Sequence, residues 1–146
     1  MITNQRQYSI TKSEVVRFEE ALAAARASEP SPDVDPLIHK AMGDGLASQL
    51  DDLRTEVMEY EALRAGGITG RVFHSLTDLP KALIEARIAA GLSQRRLAEM
   101  LDLHEQQIQK YEATVYAGAS LERIQQVADA LGVEIEETVR YTAADA

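Results

Sequence analysis

The informative stretch of this 146-residue sequence is Leu92-Ser-Gln-Arg-Arg-Leu-Ala-Glu-Met-Leu-Asp-Leu-His-Glu-Gln-Gln-Ile-Gln-Lys-Tyr-Glu112. If Ile108 and Tyr111 point inward from one short helix, Glu105, Gln106, Gln109 and Lys110 project together from its other side. That makes a polar face able to donate and accept hydrogen bonds. The same residues do not suit catalysis. His104-Glu105 begins like a zinc-protease motif, but position 108 is Ile where the second His ligand is needed. His39 and His74 have no paired ligand by spacing and read as surface or linker residues. Gly66-Gly67-Ile68-Thr69-Gly70-Arg71 lacks the Gly-Lys-Ser/Thr ending of a phosphate loop. The sequence has no Cys, which excludes a thiolate nucleophile, a disulfide framework and a cysteine metal site. No catalytic residue, metal or cofactor is expected, and the chain reads as a non-enzyme.

Several helices are needed to hold that polar face in place. Thr11-Lys12-Ser13-Glu14 has the residue types of a capping box and predicts a helix start there, with Val15, Phe18, Leu22 and Ala25 as its apolar side. Pro30 and Pro32 end it. Asp35 as N-cap and Pro36 at the first helical position open a long amphipathic helix. Its seam is Ile38, Met42, Leu46, Leu50, Leu53, Val57 and Tyr60. Gly43 and Gly45 weaken its first half by roughly 1 kcal/mol each relative to Ala, which predicts a break or bend near residue 44. Two uses of the seam stand open, packing on the first helix of the same chain or contact with a second copy, and both can hold together. The glycines of Ala65-Gly66-Gly67-Ile68-Thr69-Gly70-Arg71 favour a turn or hinge and mark the domain boundary. Ile68 to Phe73 reads as a short strand or an extended linker.

Four short helix signals follow. Thr77-Asp78-Leu79-Pro80 caps a helix that ends at Gly91, and Ser93 caps the next, over residues 94–101. Asp102-Leu103-His104 is a turn into a helix over 104–112. Ser120 opens the last, with Leu121, Ile124, Val127, Ala128 and Leu131 inward and Gly132 at its end. A short helix, a three-residue turn and a second short helix must cross steeply, which needs a small residue at the crossing, here Ala98, and an apolar wedge from Leu97, Leu101, Leu103, Ile108 and Tyr111. In the tail, Val133 to Tyr141 alternates apolar and polar residues with a lapse at Glu137. A short strand is favoured there over a helix across 134–140.

Composition narrows the class. Hydrophobic residues at 45% and charged residues at 27% give a globular balance, and a core rich in Leu, Ile, Val and Ala favours helix. The length allows one domain or at most two small ones, too little for a large catalytic barrel. No apolar run approaches the roughly 18 residues of a membrane span, and the first residues lack a signal-peptide core, so a cytoplasmic protein without membrane association is expected. Fifteen Lys and Arg against 24 Asp and Glu give a net charge of −9, which disfavours general polyanion binding. The acid is unevenly placed. Residues 1–70 carry 7 basic and 12 acidic groups and residues 133–146 carry 1 and 4, whereas residues 80–132 carry 6 and 7. Lys81, Arg87, Arg95, Arg96, Lys110 and Arg123 are the cations of that nearly neutral unit available to meet phosphate.

Leu92-Ser93-Gln94, Leu97-Ala98, the stretch Ile108 to Glu112, and Leu121 to Val133 in the place of a closing L..IA.ALGV pattern coincide in spacing. Through them residues 79–133 resemble the helix-turn-helix of the Xre/lambda-repressor-like family. With the helix signals and the glycine-rich boundary before it, the chain reads as mainly all-α: a helical N-terminal domain (1–66) for dimerisation or partner binding, a linker (67–78), the lambda-repressor-like helix-turn-helix domain that the resemblance implies (79–133) and a tail (134–146). The resemblance also implies that residues 104–112 lie in the DNA major groove as the recognition helix. By carry-over, His104, Glu105, Gln106 and Lys110 are candidates for base edges or adjacent phosphates, with Gln107 and Gln109 at the rim. Their chemistry suits this: Gln pairs with adenine, Lys with guanine or a phosphate, and Glu accepts from cytosine. Gln94 matches a phosphate-contacting position, and Arg95 and Arg96 are backbone clamps. Tyr116 is open between a phosphate contact and the small core. Two departures from the pattern are Asp102, where the family's turn usually has Gly, and Ala113-Thr114-Val115-Tyr116-Ala117-Gly118, where the usual Gly after the recognition helix is replaced.

The implied function is a homodimeric transcriptional repressor on a palindromic operator in double-stranded DNA. An acidic chain with a helical extension before an Xre-like domain is also similar to HigA-type antitoxins, which repress their own operon and neutralise a small basic toxin. A stand-alone metabolic or phage-type repressor and a protein-interaction adaptor without DNA binding are the alternatives.

Overall fold

In the computed structural model, residues 1–143 are described, and within them all regular structure is helical. The last three residues of the expected tail, 144–146, lie outside the described residues. The first helix, α1 (Gln5–Ala27), starts well before Thr11. The Asn4 side chain accepts from the Gln7 N–H at 2.9 Å while Gln7 Oε1 accepts from the Thr3 N–H at 2.8 Å, so each residue satisfies a donor near the other. This earlier reciprocal cap leaves Thr11 as a buried residue inside the helix, so the start expected there is corrected.

The second helix, α2 (Pro36–Arg64), begins as its sequence requires, with Asp35 accepting from the Leu37 N–H at 2.8 Å and Pro36 at the first position. It runs unbroken through Gly43 and Gly45, contrary to the expected break. The helical bonds on either side outweigh the local propensity cost, a common outcome in a long cooperative helix. From Leu46 onward the seam is buried or half-buried against α1, with Leu22 and Leu50 at its centre. Tyr8 stacks on Tyr60 at 5.1 Å, and Arg54 meets Glu19 at 2.7 Å, which makes the pair an antiparallel hairpin. In this register the first turns of α2 run beyond the end of α1. Leu37, Ile38 and Met42 are therefore exposed at the hairpin tip.

A 3-10 turn at Leu76–Asp78 leads into α3 (Leu79–Ala89). The expected Thr77 cap is absent: Ser75 Oγ accepts from the Thr77 N–H, and α3 has no side-chain cap. Then come α4 (Gln94–Met100), α5 (Glu105–Ala113) and α6 (Leu121–Leu131). Ser93 and Ser120 cap α4 and α6 at 3.0 and 3.1 Å, and Gly132 takes the left-handed conformation that closes α6. Leu83, Ile84, Leu97, Ile108 and Val127 fill the centre of these four helices. Ile2, Tyr60 and Leu63 join the same apolar cluster, so the root of the hairpin packs directly on the four-helix unit. Arg71 reinforces that junction with a bidentate contact to Glu85 of α3 at 2.7 and 3.2 Å.

The strand expected in the tail does not form, and of the two readings of residues 68–73 the linker is the one seen. Residues 68–73 and 133–143 contain neither strand nor helix. Alternation alone is insufficient, because a strand needs a partner edge for its backbone groups and the described residues offer none. Val133 and Ile135 still pack on the core, whereas Val139 and Tyr141 are exposed.

Candidate nucleic-acid interface

The crossing of α4 and α5 is built on the residues its geometry demands. Ala98, 1% exposed, lets the helices approach, and Leu97 and Ile108 lock the angle from inside. In the connecting turn Asp102 adopts φ 55, the left-handed conformation Asp tolerates better than most residues, and the Leu103 N–H returns to the Ala98 carbonyl at 2.8 Å.

Beneath the crossing lies a buried polar network. Arg87 of α3 donates through Nε and Nη2 to the two carboxylate oxygens of Glu112 on α5, with side-chain exposures of only 3% and 1%. Arg87 also donates to the carbonyls of Leu92, at 2.7 Å, and Thr3. Gln94 Nε2 donates to Glu112 Oε2 at 2.7 Å, and Asn4 Nδ2 donates to Gln94 Oε1 at 3.4 Å. The network ties α3, α4, α5 and the N-terminal segment together. Among the described residues no fully buried side-chain nitrogen or oxygen lacks a partner, as a low-dielectric interior requires.

Arg87 is thus removed from the set of cations available to phosphate, a correction to the sequence reading. Its position between Ile84 and Ile88 on an apolar helix face was the signal of a buried charge. Its partner, 25 positions away, had no signal in the spacing. Gln94, expected at a phosphate, lies inside at 5% exposure with its amide occupied. Tyr116 fills the core at 3% exposure and stacks on Tyr111 at 5.3 Å. Burial, and then the nearby Glu112 carboxylate, push its phenol pKa well above the ordinary value.

The remaining candidates are exposed. On α5, Glu105, Gln106, Gln109 and Lys110 are exposed on the side away from Ile108 and Tyr111, with Glu105 at the edge next to Glu112, so the structure brings these four together. Gln109 Nε2 donates to Glu105 Oε1 at 3.4 Å, while Gln106 and Lys110 make no side-chain hydrogen bond or ion pair among the described residues. Gln107 serves the helix start instead, accepting from the His104 N–H at 2.9 Å. Arg95 and Arg96 flank Glu99 at 4.0 and 3.2 Å, surface pairs worth little, which leaves both guanidiniums free to exchange partners. The loop after α5 holds Val115 and Tyr116 at φ 51 and 57, conformations usually given to Gly, and this is how the chain turns without one there.

Among the described residues, no group of three or more His, Cys, Asp or Glu is placed to hold a metal, and no helix is long and apolar enough to cross a membrane. Residues 83–137 match a family model described as helix-turn-helix, which takes in α4, the turn, α5 and α6. No curated protein and no solved structure matches the chain. The domain match supports a DNA-binding regulator.

Proposed function

We propose that the protein is a sequence-specific transcriptional repressor that reads its operator with the outer face of α5 and binds as a homodimer to a palindromic site. The observation that carries this reading is the joint exposure of Glu105, Gln106, Gln109 and Lys110 on a helix whose inner side is fixed by Ile108 and the Glu112 network. A rigid polar helix face of this size is what base-edge hydrogen bonding needs. One such helix reaches only a few base pairs, so two copies on paired half-sites supply the affinity and set the spacing. Arg95 and Arg96 act as backbone clamps beside it. The domain division fits these roles, with residues 1–66 for dimerisation or partner binding and 79–133 for DNA.

The deciding experiment is an electrophoretic shift with the DNA upstream of the protein's own gene, comparing wild type with Gln106→Ala/Lys110→Ala. Each base-reading side chain contributes about 1–3 kcal/mol of discrimination, so the double variant binds its specific site roughly 30- to 25,000-fold more weakly. Its helical circular dichroism stays unchanged. An unaltered operator affinity would contradict the assignment of α5.

A second reading adds a partner protein, as in a type II antitoxin. It is favoured by the exposed apolar tip of the hairpin, Leu37, Ile38 and Met42, within an acid-rich half that suits a small basic toxin. Co-purification with the product of a short adjacent gene, abolished in Leu37→Asp, supports it. An isolated gene favours the stand-alone repressor.

A further inference from the structure

A crevice of about 380 Å³ opens where the root of the hairpin meets the helix-turn-helix unit. Arg6 at the start of α1 and Arg64 at the end of α2 line one side; Ser93, Gln94, Glu105 and Gln109 line the other. Arg64 is held in place by bonds to Gln5 Oε1 and the Tyr60 hydroxyl, both at 3.3 Å, and its guanidinium lies 5.9 Å from the Tyr60 ring centre. Arg6 is exposed. Among the described residues neither arginine has a carboxylate within ion-pair distance. Arg87 also borders the crevice, but Glu112 neutralises it. Two uncompensated guanidiniums therefore face a single carboxylate, Glu105.

We propose that Arg6 and Arg64 contact DNA phosphates, so that the N-terminal hairpin is itself part of the DNA interface. The inference rests on the reading of α5 as the recognition helix. Glu105 and Gln109 belong both to the outer face of α5 and to the crevice wall. A duplex seated on that face has its groove edge at the crevice mouth, and a groove edge is a sugar-phosphate strand. The planar guanidinium fork matches phosphate geometry.

The test is a titration of the upstream duplex and of a scrambled duplex across a salt series with wild type, Arg6→Gln, Arg6→Lys, Arg64→Gln and Arg6→Gln/Arg64→Gln. Each phosphate left without its arginine lowers the slope of log affinity against log salt by about 0.9, so the double variant is shallower by about 1.8. Affinity falls by the same factor for both duplexes, because a phosphate contact carries no base information. Arg6→Lys keeps most of the wild-type slope. Arg6 makes no side-chain bond that holds the fold, so Arg6→Gln alone decides the matter if Arg64→Gln loosens the Tyr60 packing. Wild-type slope and affinity in Arg6→Gln and in the double variant would overturn the inference while leaving the role of α5 intact. A weakening confined to the upstream duplex would also overturn it. A wild-type protein that does not distinguish the two duplexes would overturn the underlying reading instead.

Discussion

Glu112 is the carboxylate on which α3, α4 and α5 converge, and removing its charge has a calculable consequence. Its Oε1 accepts from Arg87 Nε, and its Oε2 accepts from Arg87 Nη2 and Gln94 Nε2, the latter two at 2.7 Å. Glu112→Gln preserves the shape but turns one acceptor into a donor, so either orientation of the amide points N–H at N–H. Arg87 is then left charged and 3% exposed without a carboxylate to neutralise it, its acceptors reduced to the one amide oxygen and the Leu92 and Thr3 carbonyls. Breaking a buried pair from one side costs about 3–5 kcal/mol, a large share of the roughly 5–15 kcal/mol that stabilises a typical domain. For a chain of this size it corresponds to a fall in Tm of roughly 6–20 °C. Urea unfolding followed by far-ultraviolet circular dichroism reads the change as a lower midpoint at unchanged slope. Arg87→Leu/Glu112→Leu recovers part of the stability, because removing both charges also removes their desolvation cost, while the Gln94 amide and the Leu92 and Thr3 carbonyls lose their partners. A Glu112→Gln protein within about 1 kcal/mol of wild type, or a double variant no more stable than the single one, would rule out this role for the pair.

Val115, a β-branched and half-exposed residue at φ 51, strains the loop after α5; Val115→Gly raises stability by roughly 1 kcal/mol, read as a higher urea midpoint, and a lower midpoint would contradict the strain. Tyr116 gives a pH signature. Because burial raises its pKa above the ordinary 10.0, its contribution to stability is intact below pH 10 and is lost as pH rises above that value. Tyr116→Phe therefore shows a shallower alkaline decline in stability than wild type, and parallel curves would contradict this.

What the sequence made legible was chemistry between near neighbours. Ser93, Ser120, the Asp35-Pro36 pair and Gly132 each act within one helical turn, so their residue types announce the element ends. The outer face of α5 was legible because Ile108 and Tyr111 claim the inner one. Thr11 misled because it has the same cap chemistry as Asn4, and only the folded hairpin decides which is used. The burial of Gln94 was hidden because its partners, Asn4 and Glu112, are 90 and 18 positions away. The Arg6 and Arg64 crevice was hidden for the same reason, since it exists only once the two ends of the hairpin meet α4 and α5. The tail alternates like a strand, but strand formation depends on an edge elsewhere in the fold, and alternation carries no information about that edge.

Whether α5 reads DNA sequence is decided by selecting bound duplexes from a randomised pool, with wild type and Gln106→Ala/Lys110→Ala in parallel. Wild type is expected to enrich an inverted repeat whose half-sites are spaced by about one helical turn or a multiple of it, and the double variant to enrich no such motif. Enrichment of no motif by wild type, or of the same motif by both proteins, would contradict sequence recognition by α5.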